Sequence, residues 1–319
     1  FIGLQNAGLI VKDPGTAVRM NLQFASPDQA VFFTGLLVAG GLQARRVGGA
    51  LLWGLLAAGA LAAALKLALP HLPAWIAQAA PMRDSALVHR FTLAHAVVAA
   101  PPSLAPTLFK LDLRGAASWA MAPFIVVFLF MVFFDTVGTL VGVAQQAGLM
   151  RDGRLPRARQ AFLSDALGTV AGACLGTSTV TSFIESATGV EQGGRTGLTA
   201  VVVALLFLAA LFAGPVIGML GSYPAVTAPA LVLVGTMMLR NIAQLDWGDF
   251  TELLPSFLVV VGIPLGYSIA DGLALGFVSY PVVKLIGGRR REARPGAWLL
   301  AALLLVYFVT VRTGAGGTP

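Results

Sequence analysis

Residues 164–200 read SDALGTVAGACLGTSTVTSFIESATGVEQGGRTGLTA, and the fold turns on how that stretch divides. Its first third has a helical pattern: Asp165, Gly168, Thr169 and Gly172 fall at i, i+3, i+4 and i+7 and share one face. Residues 175–182, LGTSTVTS, are β-branched and hydroxyl-rich, poor helix material and good strand material. The natural reading is an extended stretch followed by a half-helix that starts near Ser182 or Phe183, carries Glu185 in its first turn and stops at Thr188 and Gly189. Such a start exposes backbone N–H groups and a positive dipole end. At membrane depth that is tolerable only where they line a cavity or bind something polar.

The depth follows from composition. Of 319 residues 57% are apolar and 11% charged, and the mean hydropathy is +0.83. So little charge cannot cover a soluble core of this size, so the chain is read as an all-α polytopic membrane protein with room for roughly ten crossings. Thirty-seven glycines and 18 prolines point to closely packed, interrupted helices. Apolar runs place spans near 28–43, 48–67, 116–148, 161–175, 197–219, 223–241, 253–268, 270–286 and 297–312. The opening FIGLQNAGLIV is too short to cross and reads as the tail of a helix in a chain that is N-terminally incomplete.

Net charge is +7, but the arginines sit in loops: Arg45 and Arg46; Arg151, Arg154, Arg157 and Arg159; Arg289, Arg290, Arg291 and Arg294. These are positive-inside anchors on the cytoplasmic side, not a nucleic-acid surface. Crossing parity puts the loop 68–115, with His71, His89 and His95, outside the cell, and 86–100 within it reads as an interfacial helix. One cysteine, Cys174, and histidines without ligand spacing give no reason to expect a metal or a cofactor.

Most acids flank loops. Asp135, Asp165 and Glu185 do not, and a carboxylate at membrane depth costs at least about 2.5–3.5 kcal/mol, so each should face a cavity or a bundle interior. Residues 135–142, DTVGTLVG, and 165–172, DALGTVAG, repeat the pattern D-x-x-G-T-x-x-G, so Asp135, Gly138, Thr139 and Gly142 form a second stripe. The glycines let a neighbouring backbone come close; the acids and hydroxyls give the face its polarity. Carboxylates accept from N–H donors, so a donor-rich planar heterocycle suits such a site, with Phe183 as its aromatic wall. A buried acid would also serve as a proton-coupling group.

FFDTVGTLVGVAQQAGLM at 133–150, the stretch 164–200, and PLGYSIADGLALGFVSYPVVKLI at 264–286 together resemble the AzgA-like purine permeases, a branch of the nucleobase:cation symporter superfamily; PPSLAPTLFKLDL at 101–113 and the opening residues match as well. The resemblance implies fourteen helices in two inverted repeats of seven, with core and gate domains, and places Phe1 in the fifth helix, so that the first four are missing. On that mapping 1–67 holds the end of the fifth helix and gate helices, 68–115 an extracellular loop, 116–219 core helices with the substrate site, and 220–319 gate helices and a C-terminal segment. Segment 297–312 is one more than fourteen helices accommodate. The resemblance further implies that Asp135 and Glu185 bind the purine beside Phe183. It puts Thr177, Ser178 and Thr179 in a short strand before the tenth helix, gives Asp165, Thr139 and Glu185 to support and proton coupling, and gives Gly138, Gly142, Gly168 and Gly172 to packing. Adenine, guanine or hypoxanthine would cross an inner cell membrane with H⁺. The partners are then a purine, H⁺ and the lipid bilayer, with a homodimer through the gate helices left open.

Two other classes fit less well. An intramembrane aspartyl protease needs paired carboxyls and a Gly-x-Gly-Asp context that neither Asp135 nor Asp165 has. An anion exchanger or channel of the same fold is disfavoured by three acids at one site.

Overall fold

The computed structural model describes residues 1–21, 26–73, 75 and 79–307. In chain order its main elements are α1 (Ile2–Asn6), β1 (Ile10–Asp13), β2 (Ala17–Met20), α2 (Pro27–Ala44), α3 (Ala50–Ala68), α4 (Ala122–Gln146), α5 (Ala158–Leu175), α6 (Ser186–Glu191), α7 (Gly197–Ala210), α8 (Gly214–Gly221), α9 (Pro224–Met238), α10 (Phe250–Gly266), α11 (Ile269–Ile286) and α12 (Pro295–Tyr307). Among the described residues four stretches are long and apolar enough to cross a membrane: Ala50–His71, Phe124–Gln146, Gly197–Gly221 and Ile269–Ile286. Shorter apolar helices lie in the expected spans 223–241, 253–268 and 297–312, α2 and α5 lie at 28–43 and 161–175, and the last residues of 297–312 lie outside the described residues.

The chain forms two compact units. The first comprises 1–103 and 187–239. Here α2, α3 and α9 pack together over a core of Val31, Ala58, Ala62, Leu87, Phe91, Tyr223 and Val226. The opening segment is helical only to Asn6; residues 10–20 form an antiparallel hairpin in which Ile10 faces Met20. Its turn explains the departure from the helix-tail reading: Asp13 accepts from the amides of Gly15 and Thr16 across a Pro-Gly corner, which ends helical pairing. Likewise 86–100 is helical only over Ala86–His89. What holds it is polar. Asp28 accepts from the Ser85 hydroxyl (2.7 Å), the amides of Ala86 (2.9 Å) and Leu87 (3.1 Å), and the Tyr223 hydroxyl, while the Lys66 ammonium donates to the carbonyls of Leu87 and Val88. Asp28 is therefore a tether between α2, α9 and the loop, not a solvated loop acid. No residue of α7 is buried within this unit.

The second unit comprises 104–186 and 240–319. Its α10 and α11 pack so closely that a Cβ on Gly276 would lie 2.2 Å from Val259. Ser268 caps α11 by accepting from the Asp271 amide. Helix α4 begins at Ala122 with Pro123 in its first turn, later than the expected 116, because residues 117–121 form turns.

Candidate functional site

The site is built in the second unit around the end of α5. Gly176, at φ +83°, stops the helix in the left-handed conformation that glycine allows. Two terminal carbonyls of α5 are then satisfied from the loop before α4: the Phe109 amide donates to Cys174 at 2.8 Å and the Thr107 hydroxyl to Leu175 at 3.0 Å. From Gly176 the chain turns back along α5 without helical or strand pairing until α6. The glycine stripe makes that return path fit. A Cβ on Gly172 would meet Val180 at 2.5 Å and the Thr177 hydroxyl at 2.9 Å; beside it, the Thr169 hydroxyl donates to the Val180 carbonyl at 2.7 Å.

The return path brings the two membrane aspartates onto consecutive residues. Asp165 accepts from the Ser182 amide (3.0 Å), the Ser182 hydroxyl (3.2 Å) and, across from α4, the Thr136 hydroxyl (2.8 Å). Asp135 accepts from the Thr181 hydroxyl at a long 3.3 Å and is exposed. An ionised carboxylate offers about four acceptor positions, so Asp135 keeps capacity that Asp165 has largely used. The ring of Phe133 stacks on Phe162 at 6.2 Å and Phe134 meets Phe277 at 4.8 Å, which commits both to packing between helices.

Several expectations need adjustment. The short helix begins at Ser186, so Glu185 stands in the turn before it rather than in its first turn. The reason is local: residues 177–183 are held extended by side-chain bonds to α4 and α5, and the first helical amide waits for Ser186, which donates to Phe183 at 3.2 Å. Thr177, Ser178 and Thr179 are exposed and form no strand among the described residues; the Thr177 hydroxyl donates to the Ser178 carbonyl. Glu185 and Phe183 are both exposed. Of the α4 stripe, Thr139 and Gly142 are buried, whereas Gly138 has open space where a Cβ would project. A cavity of about 310 Å³ in this unit lies away from the acids, lined by Glu252, Ser256, Phe277 and Tyr280.

Sequence reasoning missed Thr136, Thr181 and Ser182, the hydroxyls that connect the acids. The available signal was their position, one hydroxyl directly after Asp135 and two ahead of Glu185. It also missed Asp271, buried in the first turn of α11, and Lys284, buried in its last turn among three carboxylates. Asp249 and Glu292, read as solvated loop acids, belong to that cluster. The hydroxyl and amide of Thr251, with Arg289, hold the Asp249 carboxyl well below the usual carboxylate range, and Lys284 with Arg289 lowers Glu292.

A helical chain with membrane-length apolar spans, and with acids gathered on an extended break between helices, has the make-up of a polytopic membrane protein. It belongs to the Permease family, whose model matches residues 1–275. Similar proteins include MJ0326 of Methanocaldococcus jannaschii, 40% identical over 311 residues (97% of this chain, 65% of that protein). The guanine/hypoxanthine permease PbuO of Bacillus subtilis is 37% identical over 318 residues (97% and 66%). The adenine permease AdeP of Escherichia coli is 37% identical over 312 residues (98% and 64%). The chain thus spans just under two thirds of the length of these relatives.

Proposed function

We propose that the chain carries the acidic half of a purine site in a proton-coupled nucleobase importer of the inner cell membrane, built on two inverted repeats of seven helices. Core helices would carry the base and gate helices would close over it from alternate sides, with the Arg-rich loops in the cytoplasm. The names of the B. subtilis and E. coli relatives support adenine, guanine or hypoxanthine as substrate. The observation that carries the reading is the placing of Thr181 and Ser182 on Asp135 and Asp165, which hangs the segment 177–185 from both acidic helices at once.

In this reading the acids divide the work. Asp165, engaged by Ser182 and Thr136, fixes the extended segment; Asp135 and Glu185 accept hydrogen bonds from the ring N–H groups of the purine, with Phe183 against its face and Thr177, Ser178 and Thr179 alongside. Proton binding to a carboxyl of this group, Glu185 foremost, would accompany the base across. Thr139 supports α4 from its buried side. In cells expressing the complete gene, Glu185→Gln should abolish uptake of radiolabelled hypoxanthine while membrane abundance stays normal. Unchanged uptake by that variant would refute the assignment, and competition by adenine and guanine, but not by sulfate or bicarbonate, separates a base carrier from an anion exchanger.

A further inference from the structure

The foot of α10 and α11 is an ionic knot. Lys284, fully buried, has its ammonium 2.8 Å from Glu252, 2.8 Å from Glu292 and 3.4 Å from Asp249. Arg289 pairs with the same Asp249 and, at 2.7 Å, with Glu292. The fourth acid nearby, Asp246, accepts from the Gly248 amide at 3.0 Å. Asp249, Glu252 and Glu292 are thus engaged by Lys284 and Arg289, although Glu252 and Glu292 stay partly exposed, and Asp246 is held by its own loop.

The residues just beyond Arg289 are cationic and face out. Arg290, Arg291 and Arg294 are exposed and pair with no carboxylate among the described residues. Because Asp249 grips Arg289, the loop before α10 lies at the same place, and it presents Trp247 (57% exposed) and Phe250 (65%). The Trp247 indole N–H donates to the Ile242 carbonyl at 3.2 Å, which fixes the ring. The apolar span ends at Ile286, 81% exposed, only four residues before Arg290. Aromatic rings with a polar edge settle at headgroup level, and guanidinium forks match phosphate oxygens two at a time.

We propose that this foot is a docking surface for the phosphate headgroups of anionic phospholipids, with Arg290, Arg291 and Arg294 holding the phosphates and Trp247 and Phe250 seated among the glycerol esters. The charge complementarity is local. The knot consumes Lys284 and Arg289 and so makes a rigid base from which the three remaining arginines project. A general positive-inside bias would instead act through any basic loop equally.

The test uses the protein purified in detergent from the complete gene, offered phosphatidylglycerol or phosphatidylcholine, with retained lipid read by native mass spectrometry and thermal midpoint read alongside. The unsubstituted chain is expected to retain phosphatidylglycerol selectively and to be stabilised by it. At about fivefold per arginine, R290Q/R291Q/R294Q should weaken that selectivity about 100-fold. R151Q/R154Q/R159Q, which removes the same charge from the loop between α4 and α5 and the first turn of α5, should leave it unchanged. Equal retention of the two lipids, equal losses from the two triple variants, or displacement of phosphatidylglycerol by millimolar inorganic phosphate would each overturn the proposal. Should the first triple variant fail to fold, W247A/F250A decides with the arginines intact: reduced phosphatidylglycerol retention supports the surface, and unchanged retention overturns it.

Discussion

Helices α4 and α5 carry the same eight-residue pattern and put it to different uses. On α5 the stripe is roofed: Gly172 lies under Val180 and Thr177, Thr169 holds the Val180 carbonyl, and Asp165 is filled by Ser182 and Thr136. On α4 the first half is open, with Asp135 and Gly138 exposed, and only Thr139 and Gly142 are covered. The acid on one helix is a fastener, and the acid on the other keeps acceptor positions to spare. A motif of small residues and an acid permits close approach; the element that arrives decides whether the acid is spent on structure.

The difference can be broken most severely at the glycines. Gly172→Leu should force Val180 and Thr177 off α5 at a cost of about 3 kcal/mol, whereas Gly138→Leu, which projects into open space, should leave the yield of monodisperse protein on size-exclusion chromatography near that of the parent. Equal losses would mean that the two stripes are equally covered. The aspartates give a smaller contrast. Asp165→Ala strands the Ser182 amide and the Thr136 hydroxyl and should cost about 1–3 kcal/mol, seen as a lower thermal midpoint in detergent, while Asp135→Ala should shift it little.

The smallest effect concerns acids that are engaged but lie outside the spans. Asp249 and Glu292 have folded values below their unfolded ones, so their pairs contribute stability above the ordinary carboxylate range and lose it as pH falls through the depressed folded values. The thermal midpoint should be flat from pH 7 to about 5 and decline below about 4. Asp249→Asn should flatten part of that decline; an identical acid profile in the variant would show that the pairing with Arg289 and Thr251 is not what titrates.

Much of this architecture is legible in the sequence. Periodicity places the long helices, and the hydroxyl-rich run at 175–182 marks the break between α5 and α6, because β-branched residues resist helix whatever surrounds them. The glycine stripe on α5 is readable as a place of close approach. That the visitor is the chain's own returning segment is not, since a helical face carries no record of which element covers it. Glu185 falls outside the helix for a related reason: the Ser182 amide and hydroxyl donate to Asp165 and hold the backbone extended past the point where propensity alone would restart it. Lys284 escapes notice because a lone lysine at a helix end ordinarily reaches water; only the fold brings Asp249, Glu252 and Glu292 around it. The hairpin at 10–20 hides behind apolar residues that also suit a helix, although Asp13-Pro14-Gly15-Thr16 is turn chemistry.

Uptake of radiolabelled hypoxanthine per folded transporter, measured for Asp135→Asn in the complete gene, bears most directly on the claim that the acid of α4 is held open for substrate. Loss of a charged acceptor from a base N–H should reduce uptake at low substrate concentration about tenfold or more, with folded protein unchanged. Parental uptake by correctly folded Asp135→Asn would contradict the account.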